Sequence, residues 1–496
     1  MHNTDIIANL SENFIRRILE IQKGFLKDPE NIAMMVYRLS DELQHLGVDI
    51  MRAFFEAIDR YLNESSVRKS KFYVEQHSQK KLITSLGTVD FEKTLFSSKE
   101  CRKEMYYIFD QILGLESHQQ LTEDAVAKVL EEAVQTSYRK GGECVNAVDT
   151  LSKGAVKDII HSLEFPENFI IPMQKKVVDV LYIDADEDHA HLQFQFKKGD
   201  LEINEYGRKK NGIITKIIYV YEGVEKVSPK SNRHRLIGTH YFCRCTEDNK
   251  ALWDEVYAYI NATYDVSKIK AIYLNADGGP WIKAGMHRIA GIKYVLDEFH
   301  LSKYLLKMTG HMKDTQEQAR IELCTAIRSK NKADFIEIMD RLRGCTEKES
   351  VIKRINESGE YILNNWTAAK TRLRHKEGVV GCSAEGHVYH VLSSRMSTLA
   401  MGWSRTGIAK MAQLREWYYN KRDFLELARY QHNEDNVKKA AGAEELTLSA
   451  REILVSERAG KSIYEIELGK YSDAISHTWT LQTKKQLGFY LNHKVF

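Results

Sequence analysis

The sequence predicts a mixed α/β protein in which a core of strands and helices is interrupted by an all-α insertion and flanked by helical N- and C-terminal regions. Three observations predict this arrangement. Apolar residues recur every three to four positions in the first 66 residues, which is typical of amphipathic helices. Short β-rich runs follow Pro166, and a basic helical stretch over 301–377 then interrupts the α/β pattern.

Composition limits the classes of protein that fit. With 496 residues, 43% of them hydrophobic and 28% charged, the chain is expected to form two to four ordered domains. Lys and Arg number 72 against 69 Asp and Glu, so a polyanion would have to be bound by local basic patches. Seven scattered cysteines predict neither a disulfide framework nor a zinc finger. No run reaches the roughly 18 apolar residues of a membrane span, so we expect a cytoplasmic protein with no membrane partner.

The N-terminal third of the chain is predicted to contain a helical region followed by a region with both strands and helices. Residues 1–78 form an N-terminal helical region, and 79–165 contain a β-hairpin around Gly87 followed by short helices. Two of these helices are expected on either side of Gly141-Gly142.

Ser152 is a predicted N-cap for the last of these helices. The layout is typical of a helix-turn-helix, whose final helix would bring Lys153 and Lys157 into a DNA major groove. An ordinary helical hairpin that packs on its neighbours is the alternative interpretation.

The α/β core is predicted in two parts, 166–300 and 379–430, with the helical insertion at 301–378 between them and a helical C-terminal region at 431–496. Its β-rich runs are 177–186, 190–196 and 213–221, followed by a helix at 252–264, a strand at 269–277, a short helix at 281–289 and a strand at 293–297. Three meander strands followed by alternating helices and strands describe the ribonuclease H-like order.

Acidic residues stand at the ends of two predicted strands. Asp184, Asp186 and Asp188 would share one face of the first strand because side chains alternate with period two. Asp277 ends a later strand and precedes the break Gly278-Gly279-Pro280. Such acids are ordinarily turn residues, but two of them on strands of one sheet also fit a site for a hard divalent cation. The pattern leaves the choice between Asp184 and Asp186 open.

Four ordered segments, 181–193, 272–285, 294–305 and 383–416, carry a resemblance to a known family. In these segments the chain resembles the ISLre-two group of bacterial insertion-sequence transposases, which belong with the Mutator-like DDE transposases. The resemblance covers most of the chain and implies a ribonuclease H-like catalytic domain.

The resemblance also implies the site residues. The three metal-holding catalytic acids would be Asp186, Asp277 and Glu385, with Asp186 preferred over Asp184 because His189 follows at the family's spacing. The supporting pair on the next strand would be Asp297 and His300. Two Mg²⁺ or Mn²⁺ ions are the expected cofactors, and no motif predicts a zinc site or a bound nucleotide.

The implied function is DNA transposition, that is, strand cleavage at the ends of an insertion sequence and strand transfer into target DNA. The expected partners are terminal inverted repeats and target DNA, bound by a homodimer or larger assembly in the nucleoid-associated cytoplasm. A metal-dependent nuclease or resolvase of the same fold, or an inactive DNA-binding protein derived from a transposase, are the alternatives. Further candidate DNA contacts are Arg372 and Arg374 in the basic helical stretch, and Arg395 and Arg405, for which a solvated arginine is the alternative.

Overall fold

The computed structural model describes residues 3–166, 169, 171–193, 212–231, 233–374, 380–399 and 401–432. Over these residues the chain divides into two compact units. The first unit consists of the described parts of Met1–Lys128, Glu143–Thr150 and His432–Phe496, and the second of Val129–Gly142 and the described parts of Leu151–Gln431. Among the described residues, no helix has the length and apolar character needed to cross a membrane.

The first unit begins with a long helical segment. Its helices are α1 (Asn3–Lys27), α2 (Ile32–Glu64) and α3 (Ser66–Lys71). The side chain of Asn31 accepts a hydrogen bond from the Met34 N–H at 3.1 Å and so satisfies one of the free donors at the start of α2. The described part of the region predicted to be helical, 1–78, is helical through Lys71 apart from the short turns between the helices, whereas residues 72–78 belong to a strand.

The hairpin predicted around Gly87 is confirmed as well. Strands β1 (Phe72–Ile83) and β2 (Thr88–Ser98) pair antiparallel, and β3 (Met105–Tyr106) adds to the edge of β2. Gly87 has a φ of +151°, and a Cβ there would stand 2.9 Å from the side chain of Val48, so the turn requires glycine. Helix α4 (Ile108–Leu113) supplies Phe109 to a buried core with Phe91.

Three short helices follow: α5 (Glu123–Ala133), α6 (Tyr138–Glu143) and α7 (Lys153–Ser162). Ser152 caps α7 as predicted, since its hydroxyl accepts from the Ala155 N–H at 3.1 Å. The prediction that Gly141-Gly142 separates two helices is wrong, because both glycines lie inside α6. They allow close packing there: a Cβ on Gly142 would come within 2.2 Å of the Leu151 carbonyl oxygen.

The second unit is built on a five-stranded mixed sheet. Its strands are β4 (Val180–His191), β5 (Gly212–Tyr221), β8 (His240–Arg244), β9 (Ala271–Ala276) and β10 (Ile292–Leu296), and their order across the sheet is β10-β9-β4-β5-β8. β5 runs antiparallel to both of its neighbours, β4 and β8, whereas β9 runs parallel to β4 and β10 runs parallel to β9. A separate hairpin, β6 (Gly223–Lys226) with β7 (His234–Ile237), lies between β5 and β8 in the sequence.

The strand boundaries differ from the predicted ones. The runs predicted at 177–186 and 190–196 are parts of a single strand, β4, through His191, while 194–196 lie outside the described residues. The acidic run does not end the strand because the buried carboxylates of Asp184 and Asp188 both have hydrogen-bond donors from other elements. Strand β8 was not predicted.

Helices cover the apolar face of the sheet. α8 (Asn249–Thr263), α9 (Pro280–Met286) and α10 (Glu298–Thr309) follow the strands in sequence. Leu181 and Ile183 of β4 belong to the same buried cluster as Trp253 of α8. Burial of these large side chains stabilises the unit by roughly 1.5–3 kcal/mol each.

The helical insertion is present between β10 and the last part of the unit. It contains α11 (Gln316–Ser329), α12 (Lys332–Gly344), α13 (Glu349–Asn364) and α14 (Trp366–Arg374). After it come α15 (Ala384–Val388), a π-helical turn at Tyr389–Ser393, α16 (Ser394–Met396), α17 (Arg405–Tyr419) and α18 (Phe424–Tyr430). The predicted C-terminal helical region beyond residue 432 lies outside the described residues.

Candidate active site

Asp184 lies at the centre of a closed hydrogen-bond network. Its side chain is fully buried, and one oxygen accepts from the Tyr219 hydroxyl at 2.8 Å and the Ser383 N–H at 3.2 Å. The other oxygen accepts from the Tyr221 hydroxyl at 3.1 Å and the Asn275 amide at 2.7 Å. Burial raises the pKa of Asp184, and these four bonds oppose that rise. The carboxylate therefore joins β5, β9 and the segment before α15 to β4.

Asp186 is in a different environment two residues further along β4. It is only partly buried, and one of its oxygens accepts from the Glu187 N–H at 2.8 Å. The pKa of Asp186 is raised to about 6. Burial is the main cause and the negative charge of Asp277 contributes to the rise, whereas the bond from the Glu187 N–H and the charge of His300 act to lower the pKa. The two carboxylates thus interact electrostatically.

The parallel pairing of β4 and β9 explains why Asp186 and Asp277 come together. Asp184 is opposite Asn275 in this register, so Asp186 and Asp277 each lie two residues further along neighbouring strands. Asp277 directly follows β9, and Asp186 lies just beyond the stretch of β4 that pairs with β9. Both acids therefore lie where this parallel pairing ends, and ligands commonly bind at the carboxyl ends of parallel strands in α/β sheets.

The backbone around Asp277 is held in place. An Asp277 carboxylate oxygen accepts from the Gly279 N–H at 3.0 Å, and its carbonyl oxygen accepts from the hydroxyl of Tyr361 on α13. Gly278 has a φ of +104°, and a Cβ there would stand 2.8 Å from the Asn365 side chain. Glycine is therefore required directly after the acid.

Asp297 and His300 form a pair at the end of β10. The imidazole Nδ1 of His300 lies 2.9 Å from an Asp297 carboxylate oxygen. This hydrogen bond raises the pKa of His300, and the charges of Asp297 and Asp277 raise it further. Burial acts to raise the pKa of Asp297, but the bond to His300, the charge of His300 and the backbone donors of Phe299 and His300 together outweigh burial, and the pKa is lowered. A positive charge is thereby favoured beside Asp186 and Asp277.

Glu385 occupies the first turn of α15, and its side chain is exposed. α15 packs against β4, and the nearby Ser383 N–H is the donor to Asp184. In the part of the chain that the structure describes, no group of three or more His, Cys, Asp or Glu side chains is arranged to hold a metal ion. The structure therefore brings Asp186 and Asp277 together with the Asp297–His300 pair, but it does not bring Glu385 into a common coordination sphere with them.

Two of the predicted DNA-contacting arginines are buried instead. The guanidinium of Arg372 donates to the Leu296 carbonyl at 2.9 Å and to the Asn275 side chain at 3.1 Å. That of Arg395 donates to the Ala133 carbonyl at 3.1 Å and lies 5.1 Å from the ring of Trp403. Both arginines satisfy internal backbone acceptors, so neither is exposed for contact with a nucleic acid.

The remaining predicted DNA contacts lie on the surface. Lys153 and Lys157 are exposed on α7, where Lys157 pairs with Asp158 at 2.9 Å. Arg374 is exposed at the end of α14 and Arg405 at the start of α17. Their contact with DNA stays a prediction.

Sequence reasoning missed the neutral residues that organise the acids. Tyr219 and Tyr221 occupy alternate positions of β5, and both reach Asp184. The available signal was this period-two pair of tyrosines on the strand next to the acidic one. Asn275, two residues before Asp277, gave the same kind of signal.

The fold and the site together define a mixed α/β protein with two acids on neighbouring parallel strands, Asp186 within β4 and Asp277 directly after β9. The chain belongs to the uncharacterised protein family UPF0236, whose profile matches residues 26–431.

Several UPF0236 proteins match this chain over most of their length. A UPF0236 protein of Caldanaerobacter subterraneus subsp. tengcongensis is 34% identical over 423 residues, which cover 85% of each chain. Its name combines eleven locus designations from that one organism. A second protein of the same organism, with four locus designations, is also 34% identical over 423 residues, again 85% of each chain. The UPF0236 protein in the vanSb 3′ region of Streptococcus gallolyticus is 22% identical over 418 residues, 80% of this chain and 85% of the relative.

Proposed function

We propose that this protein is the DDE transposase of an insertion sequence, which uses divalent metal ions to cleave DNA at the ends of the element and to join those ends to target DNA. The observation that carries the proposal is the pair Asp186 and Asp277, whose charges interact where the parallel pairing of β4 with β9 ends. We further propose that it acts on DNA as a homodimer or larger assembly in the nucleoid-associated cytoplasm.

The sheet topology supports a ribonuclease H-like core. Across the sheet the strands lie in the order β8-β5-β4-β9-β10, and along the chain β4 is the first of them, followed by β5, β8, β9 and β10. The first three strands along the chain pair antiparallel, β4 with β5 and β5 with β8, and the last two run parallel to β4. That arrangement places one acid on the first strand and one at the end of the fourth, which are the positions of Asp186 and Asp277. The all-α insertion then separates them from Glu385 in sequence.

The donor set fits hard divalent cations. Asp186 and Asp277 present carboxylate oxygens, which Mg²⁺ and Mn²⁺ prefer, and their mutual repulsion is relieved when a cation binds. Such ions supply charge neutralisation at the reacting phosphodiester and an activated hydroxyl nucleophile. Asp277 is held by the Gly278 turn and by Tyr361, so it meets the cation with little loss of conformational freedom. Glu385 would complete the site from the exposed first turn of α15.

His300 has a distinct role in this proposal. Its raised pKa favours the imidazolium form beside the two acids, and Asp297 fixes the ring through Nδ1. We propose that this cation keeps both carboxylates ionised and contacts the negatively charged DNA backbone.

The names of the relatives support a mobile element. One relative's name joins eleven locus designations within a single organism, and another's joins four. Multiple loci for one protein are what copying of a mobile element would produce.

The decisive assay uses the full chain and labelled duplex DNA carrying the sequences that flank its gene, with Mg²⁺ or Mn²⁺. The wild-type protein is expected to nick the element end and to join the freed 3′-hydroxyl to a second DNA. Asp277→Asn should abolish both products, whereas Asp314→Asn, a matched change at an exposed acid in the insertion, should abolish neither. Unchanged cleavage by Asp277→Asn would contradict the assignment of Asp277 as a metal-binding catalytic acid. Cleavage without joining would instead indicate a nuclease or resolvase.

A further inference from the structure

A shallow cavity of ≈ 470 Å³ lies between α10 and α13, in the same unit as the acid pair. We call it the α10–α13 groove. Its lining includes Phe299, Ser302, Lys303, Leu306, Lys307 and Arg354. Within the described parts of the chain, no acidic residue lines it, although Glu298 precedes Phe299 in the sequence.

The groove carries three exposed cations. Lys303 and Lys307 are one helical turn apart on α10, so their side chains start about 6 Å apart on one face, and Arg354 faces them from α13. Among the described residues, none of the three has a carboxylate within ion-pair distance. Such unneutralised positive charge attracts a polyanionic backbone.

Phe299 adds an aromatic surface to these cations. The side chain is 58% exposed, which is costly for a phenyl ring in the absence of a partner. The Lys303 ammonium lies 5.6 Å from the centre of the ring. Exposed aromatic rings beside cations are the combination with which proteins bind single-stranded nucleic acid, since an unpaired base stacks on the ring while its phosphate meets the charge.

The groove is structurally joined to the acid pair. The rings of Tyr304 on α10 and Tyr361 on α13 stack with centroids 3.8 Å apart, and the Tyr361 hydroxyl donates to the Asp277 carbonyl. Lys307 lies 4.9 Å from the centre of the Tyr304 ring. Phe299 is next to His300, with their ring centroids 5.5 Å apart. The same two helices therefore form the groove and support Asp277.

We propose that the α10–α13 groove binds the single-stranded DNA that leads away from the scissile phosphodiester. A base stacks on Phe299, while Lys303, Lys307 and Arg354 contact the phosphates. The position of this strand relative to the cleaved bond rests on the proposed function, but binding of single-stranded DNA by the groove requires neither metal nor catalysis.

Binding is tested by fluorescence anisotropy with a labelled oligothymidylate and the full-length protein in EDTA. Phe299→Ala should weaken binding about five-fold or more, because base–aromatic stacking contributes roughly 1–3 kcal/mol. The matched control is Ile336→Ala, which removes an apolar side chain that is 41% exposed on α12 and outside the groove; it should leave the affinity unchanged. Equal affinities of the Phe299→Ala and wild-type proteins would overturn the stacking role.

The salt dependence tests the phosphate contacts. For single strands each phosphate contact contributes roughly −0.7 to the slope of log K against log salt, so the double variant Lys303→Gln/Lys307→Gln should flatten this slope by roughly 1.4. Arg328→Gln, at an exposed cation on α11, should leave the slope unchanged. An unchanged slope in the double variant would overturn the groove as the binding site, even if cleavage is intact. If single-stranded DNA binding depends on these residues but the protein cleaves no DNA under any condition, the proposed function is contradicted while the groove is supported as a DNA-binding site.

Discussion

Asp184 and Asp186 lie two residues apart on the same strand, yet their surroundings are opposite. Asp184 is fully buried, and its two oxygens accept four hydrogen bonds from β5, β9 and the segment before α15. Asp186 is partly exposed, accepts a bond from a neighbouring backbone N–H, and interacts with the charge of Asp277. The difference separates a carboxylate that holds the fold from one that is available to a ligand.

Burial and hydrogen bonding explain the division. A buried carboxylate is tolerated when donors replace the water it has lost, and Asp184 has such donors from four residues. Burial raises the pKa of both carboxyls, but among the described residues Asp186 has no comparable set of donors, and the negative charge of Asp277 raises its pKa further. The comparison predicts that the same substitution will damage stability at one position and activity at the other.

The largest expected effect is on catalysis. Asp186→Asn should lower DNA cleavage by roughly a thousand-fold, because a metal-binding carboxylate supports charge neutralisation that contributes several kcal/mol to the transition state. The free energy of unfolding in EDTA should not decrease, since the variant removes a repelled charge. Single-turnover cleavage and urea denaturation provide the two measurements.

A loss of activity that is matched by unfolding would contradict this separation. So would a variant that keeps full cleavage, because Asp186 would then not be a metal ligand. Asp314→Asn again serves as the control for a general effect of removing an acid.

The second effect concerns the cation beside the pair. His300→Gln should reduce cleavage about ten- to a hundred-fold, the range typical of residues that support metal ligands. The reason is the loss of the positive charge that keeps Asp186 and Asp277 ionised. His300→Lys, which retains a cation, should keep more activity than His300→Gln when cleavage rates are measured side by side. If the glutamine variant is the more active one, the charge is not what matters.

The third effect is on stability. Asp184→Asn replaces an acceptor with an amide N–H₂ that faces donors, so it should lower the free energy of unfolding by about 1–3 kcal/mol. Tyr221→Phe removes one donor to the same carboxylate and should cost less, on the order of 1 kcal/mol. Denaturant titration of both variants beside Asp186→Asn measures the order. A more stable Asp184→Asn protein would show that the buried charge, and not the network, dominates at this position.

The sequence predicted where the acids are but not which of them is held by the network. Asp277 was recognisable because a strand ends at a Gly-Gly-Pro break, and the structure requires Gly278 there. Period-two alternation puts Asp184 and Asp186 on one face and cannot rank them. The residues that distinguish them come from elsewhere: Tyr219 is 35 residues away and Asn275 is 91.

The charged residues of the helical regions show the same limit. Arg372 was predicted to contact DNA as part of a basic helical stretch, and Arg395 because it lies in a segment that mixes cations with aromatic residues. In the fold each meets backbone carbonyls, those of Leu296 and Ala133, which remove the cost of burying a guanidinium. Such acceptors belong to distant segments and leave no local sequence signal. The mixed α/β class and the inserted helices were predictable because they depend on local periodicity.

The smallest effect is a dependence of stability on pH that belongs to Asp186 and not to the fold as a whole. The folded pKa of Asp186, about 6, is above its ordinary 3.8, so folding favours the protonated form. Its contribution to stability is therefore fully present below about pH 4 and is lost as the pH rises through 6. Relative to Asp186→Asn, the wild-type free energy of unfolding in EDTA should fall across this window by on the order of 1 kcal/mol, since partial exposure reduces the full effect.

Asp277→Asn should make the fall in the free energy of unfolding smaller, because it removes one of the charges that raise the Asp186 pKa. Parallel curves for the wild type and Asp186→Asn between pH 4 and 7 would show that folding does not raise the pKa of Asp186, and an unchanged fall in Asp277→Asn would show that the two carboxylates do not interact.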